Sequence, residues 1–238
     1  MDISPLWISL KTTLCATFLA FVFGIVTAWL MSCYKGRFKG MLDGILTLPL
    51  VVPPTVVGFF LLLLFGKNGP VGKLLMSMGT TIIFTWGATV ISSGIVAFPL
   101  MYRTCRSSFE QIDSNLINAG RTLGLTEFKI FYSVLIPLAW PGIVAGTILA
   151  FARSLGEFGA TLMIAGNIPG KTQTIPLAIY FAAESGKMDQ AFLWVITVCG
   201  ISLTVIILMN YWEEIHKKRL AYNRREHKWG YMLTSKRD

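Results

Sequence analysis

The sequence predicts an all-α membrane protein of about five spanning helices, with a polar two-helix interval between the third and the fourth. Three observations carry that expectation. Hydrophobic residues make up 54% of the 238 and charged residues 14%, with a mean hydropathy of +0.62, which is too apolar for an ordinary soluble domain. The apolar residues gather into runs close to the ~20 needed to cross hydrocarbon. Of the 21 Lys and Arg, fifteen fall in three segments and four in the intervening loops, so the net charge of +9 reads as membrane orientation and not as a nucleic-acid surface.

The first run, Leu14 to Met31, is too long for a removable signal peptide and lacks its cleavage pattern, so it is expected to stay as a span. Lys35, Arg37 and Lys39 follow at once, placing that end inside and the N-terminus outside. A second span is expected over about 45–65. It carries Leu48-Pro49-Leu50-Val51-Val52-Pro53-Pro54-Thr55-Val56-Val57-Gly58, whose prolines remove backbone donors and bend the helix. Lipid tolerates the freed carbonyls only where protein or trapped water satisfies them, so this helix is expected to face the bundle interior; a plain packing kink is the alternative. Gly66 to Lys73 invites a phosphate-loop reading. It fails, because five residues separate Gly66 from Gly72 and Leu74 stands where Ser or Thr would hold magnesium.

A third span is expected over about 81–101, with Gly87, Gly94 and several Ser and Thr residues letting backbones approach. The polar interval Arg103 to Trp140 follows. Ser108 with Gln111 reads as a capping box, and Phe109, Ile112, Leu116, Ala119, Gly120 and Leu123 recur at helical spacing. Gly124 sits at a left-handed stop, Thr126 caps a second helix, and Phe128, Phe131, Tyr132 and Leu135 give that helix an apolar face before Pro137. Taken alone, this is an amphipathic helix pair lying on a surface.

A fourth span is expected over about 141–161. Within it Arg153 and Glu157 stand four apart, on one helical face, where ionisable groups are costly and mark functional paths. Two readings stay open: a mutually neutralising pair that fixes packing, or the lining of an anion path with Arg153 supplying positive potential and Glu157 restraining it. The apolar stretch 173–181 is too short to span and reads as an outward-facing half-helix or a loop. A fifth span runs over about 192–211, with Trp212 at its inner end, and completes a membrane-spanning region of 1–212. The tail 213–238 holds eight basic residues and belongs on the cytoplasmic leaflet; His216 and His227 sit in this solvated segment and are not expected to bind metal. Cys15, Cys33, Cys105 and Cys199 lie far apart, without metal or redox spacing.

The interval 103–137 resembles the cytoplasmic coupling loop of bacterial ABC importer permeases, whose pattern is Glu-Ala-Ala, three residues, Gly, nine residues, then Ile-x-Leu-Pro. With Gly124 as anchor it falls on Asn118-Ala119-Gly120, Gly124 and Val134-Leu135-Ile136-Pro137. The spacing holds; Asn118, Gly120, Val134 and Ile136 depart in identity, so no role of the family's glutamate carries over to Asn118. The second-span proline motif, Phe151 to Thr161 and Gly166 to Pro176 look like the molybdate permease subunit in particular, and sulfate-type relatives share less of the last stretch.

The resemblance implies a type I ABC importer permease fold, and a homodimer in a bacterial or archaeal inner membrane working by alternating access. It also implies separate ATPase subunits that bind ATP and magnesium and dock at Asn118, Ala119, Gly120, Gly124 and Pro137, and an extracytoplasmic oxyanion-binding protein. Pro53, Pro54, Thr55, Arg153 and Glu157 are the candidate path residues. No cofactor is expected in the chain, and lipid but no nucleic acid is expected as a partner. The competing classes are a sulfate or thiosulfate permease, a membrane enzyme using Arg153 and Glu157, and a passive anchor for a cytoplasmic partner. The enzyme reading lacks a second convergent His, Asp or metal cluster in the spans.

Overall fold

The computed structural model describes residues 2–208 and 211; Trp212, the basic tail 213–238, His216 and His227 lie outside the described residues. The described structure is helical. By its contacts the chain divides into two units, Met1–Cys199 and Gly200–Asp238, and of the second only the end of the last helix is described as an element.

Helix α1 (Ser4–Cys33) starts with Pro5 in its first turn, where the missing N–H costs nothing. Just ahead of it Asp2 accepts the Ser4 hydroxyl at 2.7 Å and the Ser4 N–H at 2.9 Å, and these bonds hold its carboxyl below the usual range. Ala16, Ala20, Gly24 and Ala28 recur every four residues as a buried stripe of small side chains, while Leu14, Phe18, Phe23, Val26 and Leu30 stay exposed. In lipid, where apolar surface has no reason to leave its solvent, such a stripe associates helices by close packing. It lies against α5 (Trp86–Glu110): a β-carbon on Gly24 would stand 2.6 Å from Met101 Cγ.

The single bent second span expected from the prolines is two helices. α2 (Lys39–Val51) stops at Val52, and α3 (Pro54–Phe65) leaves at 112° with Pro54 as its first residue. Pro53 and Pro54 together supply no N–H to continue the ladder, so the chain turns instead of kinking. A short α4 (Pro70–Ser77) follows.

α5 starts at Trp86, five residues later than expected. The preceding loop is held back by the Phe84 N–H, which donates to the Ile164 carbonyl at 3.1 Å. α5 then continues to Glu110 and packs against α1, α2, α3, α8 and α9, which makes it the axis of the first unit. The expected cap at Ser108 is therefore absent: Ser108 donates its hydroxyl to Thr104 O inside α5, and Gln111 closes that helix.

α6 (Ser114–Thr122), α7 (Glu127–Ile130), a π turn (Phe131–Leu135) and α8 (Ile136–Leu155) come next. Pro137 does not end a helix as expected. It sits in the first turn of α8, and the chain runs as one apolar helix from Glu127 to Leu155. The fourth span then breaks at Gly156 and restarts as α9 (Gly159–Ala165), so it is not continuous to residue 161. α10 (Ile175–Glu184) is the short apolar helix expected near 173–181, and α11 (Met188–Leu208) covers most of the fifth apolar run.

Among the described residues, α1, the 127–155 helix and α11 are long and apolar enough to cross a membrane, and the α2–α3 pair makes a fourth if it counts as one span. α5, with 25 residues, has the length but ends in a polar stretch that holds Arg103, Arg106 and Glu110.

Two clusters form the core. One joins α1, α5 and α8 through Ala28, Met31, Met101, Tyr102, Phe109, Leu135 and Ile143; the other joins α3, α5 and α9 through Val57, Leu61, Val96, Ala160 and Ile164. In the second, a β-carbon on Gly58 would meet Ala160 Cα and Met163 Cβ at 2.8 Å, so only glycine lets α3 and α9 approach so closely. Replacing Gly58 with Leu is expected to cost about 1–3 kcal/mol by overpacking, read as a lowered thermal unfolding midpoint in detergent. Gly44→Ala, with nothing within 4 Å, serves as the contrast and should hold or raise the midpoint.

Candidate functional site

The path residues named from sequence meet where two interrupted helices touch. After Leu155, Gly156 closes α8, and the Glu157 carboxylate reaches both ways across the break. Its Oε2 lies 2.9 Å from Arg153 Nη1, on the last turn of α8, and its Oε1 accepts the Ala160 N–H at 2.8 Å in the first turn of α9. The pair expected on one continuous helix is thus a clasp over a gap. Glu157 is buried to 1% of its side-chain surface and Arg153 keeps 29% exposed. A carboxylate so enclosed is tolerable only with a counter-charge and a donor, and it has both.

The proline elbow leans on the same break. A β-carbon on Gly159 would stand 3.0 Å from Thr55 Cγ2 and 3.3 Å from Pro54 Cβ, so α3 starts directly against the start of α9. Pro53 and Thr55 are exposed and Pro54 is half-buried. Thr161 reaches Ser92 on α5 through a buried hydroxyl pair at 2.9 Å, and Thr12, Thr89 and Trp86 form a second polar knot between α1 and α5. At the beginning of α10, the Ile175 N–H donates to Ser9 at 2.7 Å.

The residues expected from sequence to dock an ATPase subunit are brought together differently. Asp113, not Ser108, caps α6 by accepting the Asn115 N–H at 2.9 Å. The helix ends in a Schellman motif: Leu125 N–H donates to Gly120 O at 3.1 Å and Gly124 N–H to Arg121 O at 3.0 Å, with Gly124 at φ +76°. Thr126 then caps α7 by accepting the Lys129 N–H at 3.3 Å. Arg121 clamps the turn from outside, with Nε and Nη2 on the two Glu127 oxygens at 2.7 and 3.1 Å, and Glu127 raises the pKa of that guanidinium. Asn118 accepts from Arg121 Nη1 at 3.3 Å and Ala119 is exposed. Gly120 is buried, 3.2 Å from Ile130 Cγ1 if it carried a β-carbon. Pro137 is exposed on the far side of the π turn, on α8.

Around this turn Leu116, Leu123, Phe128 and Tyr132 are exposed, Leu123 to 79%. The turn is pinned to the bundle by Phe131, whose ring stacks on Trp29 at 4.5 Å and meets Phe109 edge-on at 6.1 Å. Sequence reasoning missed Asp43, Tyr102, Arg106 and Glu110, which form a polar cluster between α2 and α5. The available signal was Asp43 itself, a lone carboxylate between apolar residues at the start of a span-length run.

The family described as binding-protein-dependent transport system inner membrane components matches residues 20–222. The chain is 39% identical over 223 residues to a molybdenum transport system permease protein of Haemophilus influenzae, covering 93% of this chain and 97% of that one. It is 41% identical to the protein of that name from Escherichia coli K12, covering 84% and 89%. A crystal structure of a bacterial alginate ABC transporter, in complex with an alginate-pentasaccharide-bound periplasmic protein, contains a chain of the same fold. The TM-score is 0.69 at 16% identity, over 88% of this chain and 77% of that one.

Glu157→Ala would strip Arg153 of its counter-charge and the Ala160 N–H of its acceptor, and a loss of about 3 kcal/mol is expected. Glu157→Gln keeps an acceptor oxygen and should lose less in the same thermal unfolding assay. Equal losses would mean that the charge carries the whole effect and the cap none.

Proposed function

The chain belongs to the family of binding-protein-dependent transport system inner membrane components, and from that premise we propose that it is the membrane-spanning subunit of an ATP-driven oxyanion importer whose cargo is molybdate or tungstate. The cargo rests on two relatives near 40% identity, over most of both chains, that carry the name of molybdenum transport. The chain is a transport subunit; the ATPase of such a system is a separate subunit.

The observation that carries the mechanism is the meeting of the Pro53–Thr55 elbow with the Glu157 clasp. A tetrahedral dianion needs positive potential along its path but no deep well, or it would not leave. The Arg153 guanidinium, 29% exposed and held in check by Glu157 at 2.9 Å, offers that kind of potential, and the exposed Thr55 adds a hydroxyl. Both backbone interruptions are places where two helix segments can change their angle, so the same residues serve as a gate in alternating access.

Two copies of the chain would face each other across the path, each with an ATPase subunit that binds ATP and magnesium docked on the α6–α7 turn at Asn118, Ala119, Gly120 and Gly124. Pro137, beyond the π turn, lies next to that surface in sequence. The exposed Leu116, Leu123, Phe128 and Tyr132 give the docking surface its apolar area. The binding protein would deliver the anion on the opposite face, near α10. In this reading the N-terminus is outside, and the C-terminus with the basic tail is cytoplasmic.

The test is ATP hydrolysis by the chain reconstituted in liposomes with its ATPase subunit and binding protein, loaded in turn with molybdate, tungstate or sulfate. Stimulation by the first two alone is the expected result. Equal stimulation by sulfate would widen the cargo to tetrahedral oxyanions, and indifference to every ligand would remove the importer reading. In the same preparation Gly124→Val is expected to weaken co-purification of the ATPase subunit while membrane insertion stays intact. A β-branched residue at φ +76° costs on the order of 1–2 kcal/mol, whereas Gly124→Asn, which tolerates that conformation, should bind near normally.

A further inference from the structure

The cluster missed by sequence is a two-rung ladder between α2 and α5. Lys39 and Asp43 stand one turn apart on α2; Tyr102, Arg106 and Glu110 stand one turn apart on α5. The rungs run antiparallel. Tyr102, fully buried in the core, donates its Oη to Asp43 Oδ1 at 2.7 Å, and Arg106 Nη1 bonds the same Asp43 oxygen while lying 3.1 Å from Tyr102 Oη. Arg106 Nε donates to Glu110 Oε1 at 2.9 Å, and that oxygen receives Lys39 Nζ at 3.4 Å. Every charge in the ladder has an opposite neighbour.

The rest of α2 is held loosely within the chain. None of its thirteen residues is buried, and although Leu46 packs on the core cluster, an open apolar groove of ≈480 Å³ runs between α2 and its neighbours beyond the ladder. Leu19, Phe23, Ile45, Leu46, Pro49 and Phe98 are among its walls. One end of α2 is therefore fastened by directional polar bonds, and the other, which leads into the elbow, borders this open groove.

At the fastened end the chain of contacts continues to the coupling turn. Glu110 follows Phe109, whose ring meets Phe131 of the π turn, and Tyr102, Phe109 and Leu135 share one core cluster. At the other end α2 feeds the elbow, and α3 lies on α9 beside Glu157.

We propose that Asp43 and Arg106 are positioning residues of the transport cycle. The ladder fastens the start of α2 to α5, so a displacement of α5 delivered through the π turn swings α2 about this point and reaches the elbow and the Arg153–Glu157 gate. The inference rests on the importer reading. Neither residue is among the proposed path or docking residues, and without the ladder α5 moves while α2 lags, so hydrolysis continues but does less transport.

The experiment measures molybdate uptake per ATP hydrolysed in proteoliposomes that hold the chain, its ATPase subunit and its binding protein. Asp43→Asn and Arg106→Gln are expected to keep binding-protein-stimulated hydrolysis within about twofold and to lower uptake per ATP by about fivefold or more, the lower range of coupling effects. The reversed pair, Asp43→Arg with Arg106→Asp, is made together with Lys39→Glu and Glu110→Lys so that every charge keeps an opposite neighbour, and it should recover most of the ratio. Wild-type uptake per ATP in both single variants would overturn the proposal. So would a proportional loss of hydrolysis and uptake that the reversed pair does not rescue, because that marks a merely structural contact.

A second readout does not depend on the cargo. Spin labels on Met41→Cys and Ser107→Cys, with Cys33 and Cys199 replaced by Ser, report the α2–α5 distance. A single narrow distance that broadens in Asp43→Asn and narrows again in the reversed pair supports the ladder, and an unchanged distribution sinks it. If the unaltered complex ignores every ligand, the importer reading fails on its own, and the label distances still decide whether the ladder fastens α2.

Discussion

Inside hydrocarbon no water waits to satisfy a freed backbone group, so every interruption of a helix must be answered by protein. This chain interrupts two apolar helices, at Val52–Pro53 and at Gly156–Phe158, and sets the interruptions against each other. The prolines at the first remove donors outright. At the second, Glu157 accepts the freed Ala160 N–H and is in turn neutralised by Arg153. The charge that looked expensive in the sequence is the acceptor that makes the gap possible. An apolar substitute would relieve the desolvation of Glu157 and leave a backbone donor unpaired.

The remaining architecture exists to bring those two gaps into register. α5 is the only described helix that touches α1, α2, α3, α8 and α9, and the small residues Ala16, Ala20, Gly24 and Ala28 let α1 lie close along it. Where close packing does not fix the geometry, hydroxyl hydrogen bonds do: Thr12 with Thr89, Ser92 with Thr161, and Ser9 accepting the Ile175 N–H. Such bonds contribute modestly in a membrane, on the order of 1 kcal/mol each, yet they are directional and fix rotation about a helix axis, which apolar contacts leave free.

Much of this was legible in the sequence wherever the determinant is local. The α6–α7 turn is written in Gly124 and Thr126, because a left-handed residue and a hydroxyl cap act within five residues of themselves. The meeting of the Pro53–Thr55 elbow with Glu157 was half legible: proline predicts a break, but the 112° angle belongs to α3 packing on α9, a hundred residues away. Ser108 with Gln111 misled because its spacing satisfies a capping box equally well inside a helix that continues, where Ser108 bonds Thr104 O and Asp113 takes the cap. The start of α5 is not legible locally, because the restraint on it is the Phe84–Ile164 bond between distant segments. Asp43 was passed over for the same reason: its partners Tyr102 and Arg106 lie about sixty residues away.

The π turn at Phe131–Leu135 has a consequence for how chains of this kind can diverge. Its i to i+5 bond, from Ile136 N–H to Phe131 O, accommodates one residue more than an α-helical turn would. Each residue of an α-helix advances its faces by about 100°. The surplus residue therefore sets the phase between the face that shows Phe128 and Tyr132 and the face of α8 that packs on α5. Shedding one residue within the turn would restore an unbroken α-helix and rotate one face past the other, whereas the same deletion further along α8 would misalign the packing itself. The turn is a place where a lineage can retune which way the Phe128 and Tyr132 face points without rebuilding the bundle behind it.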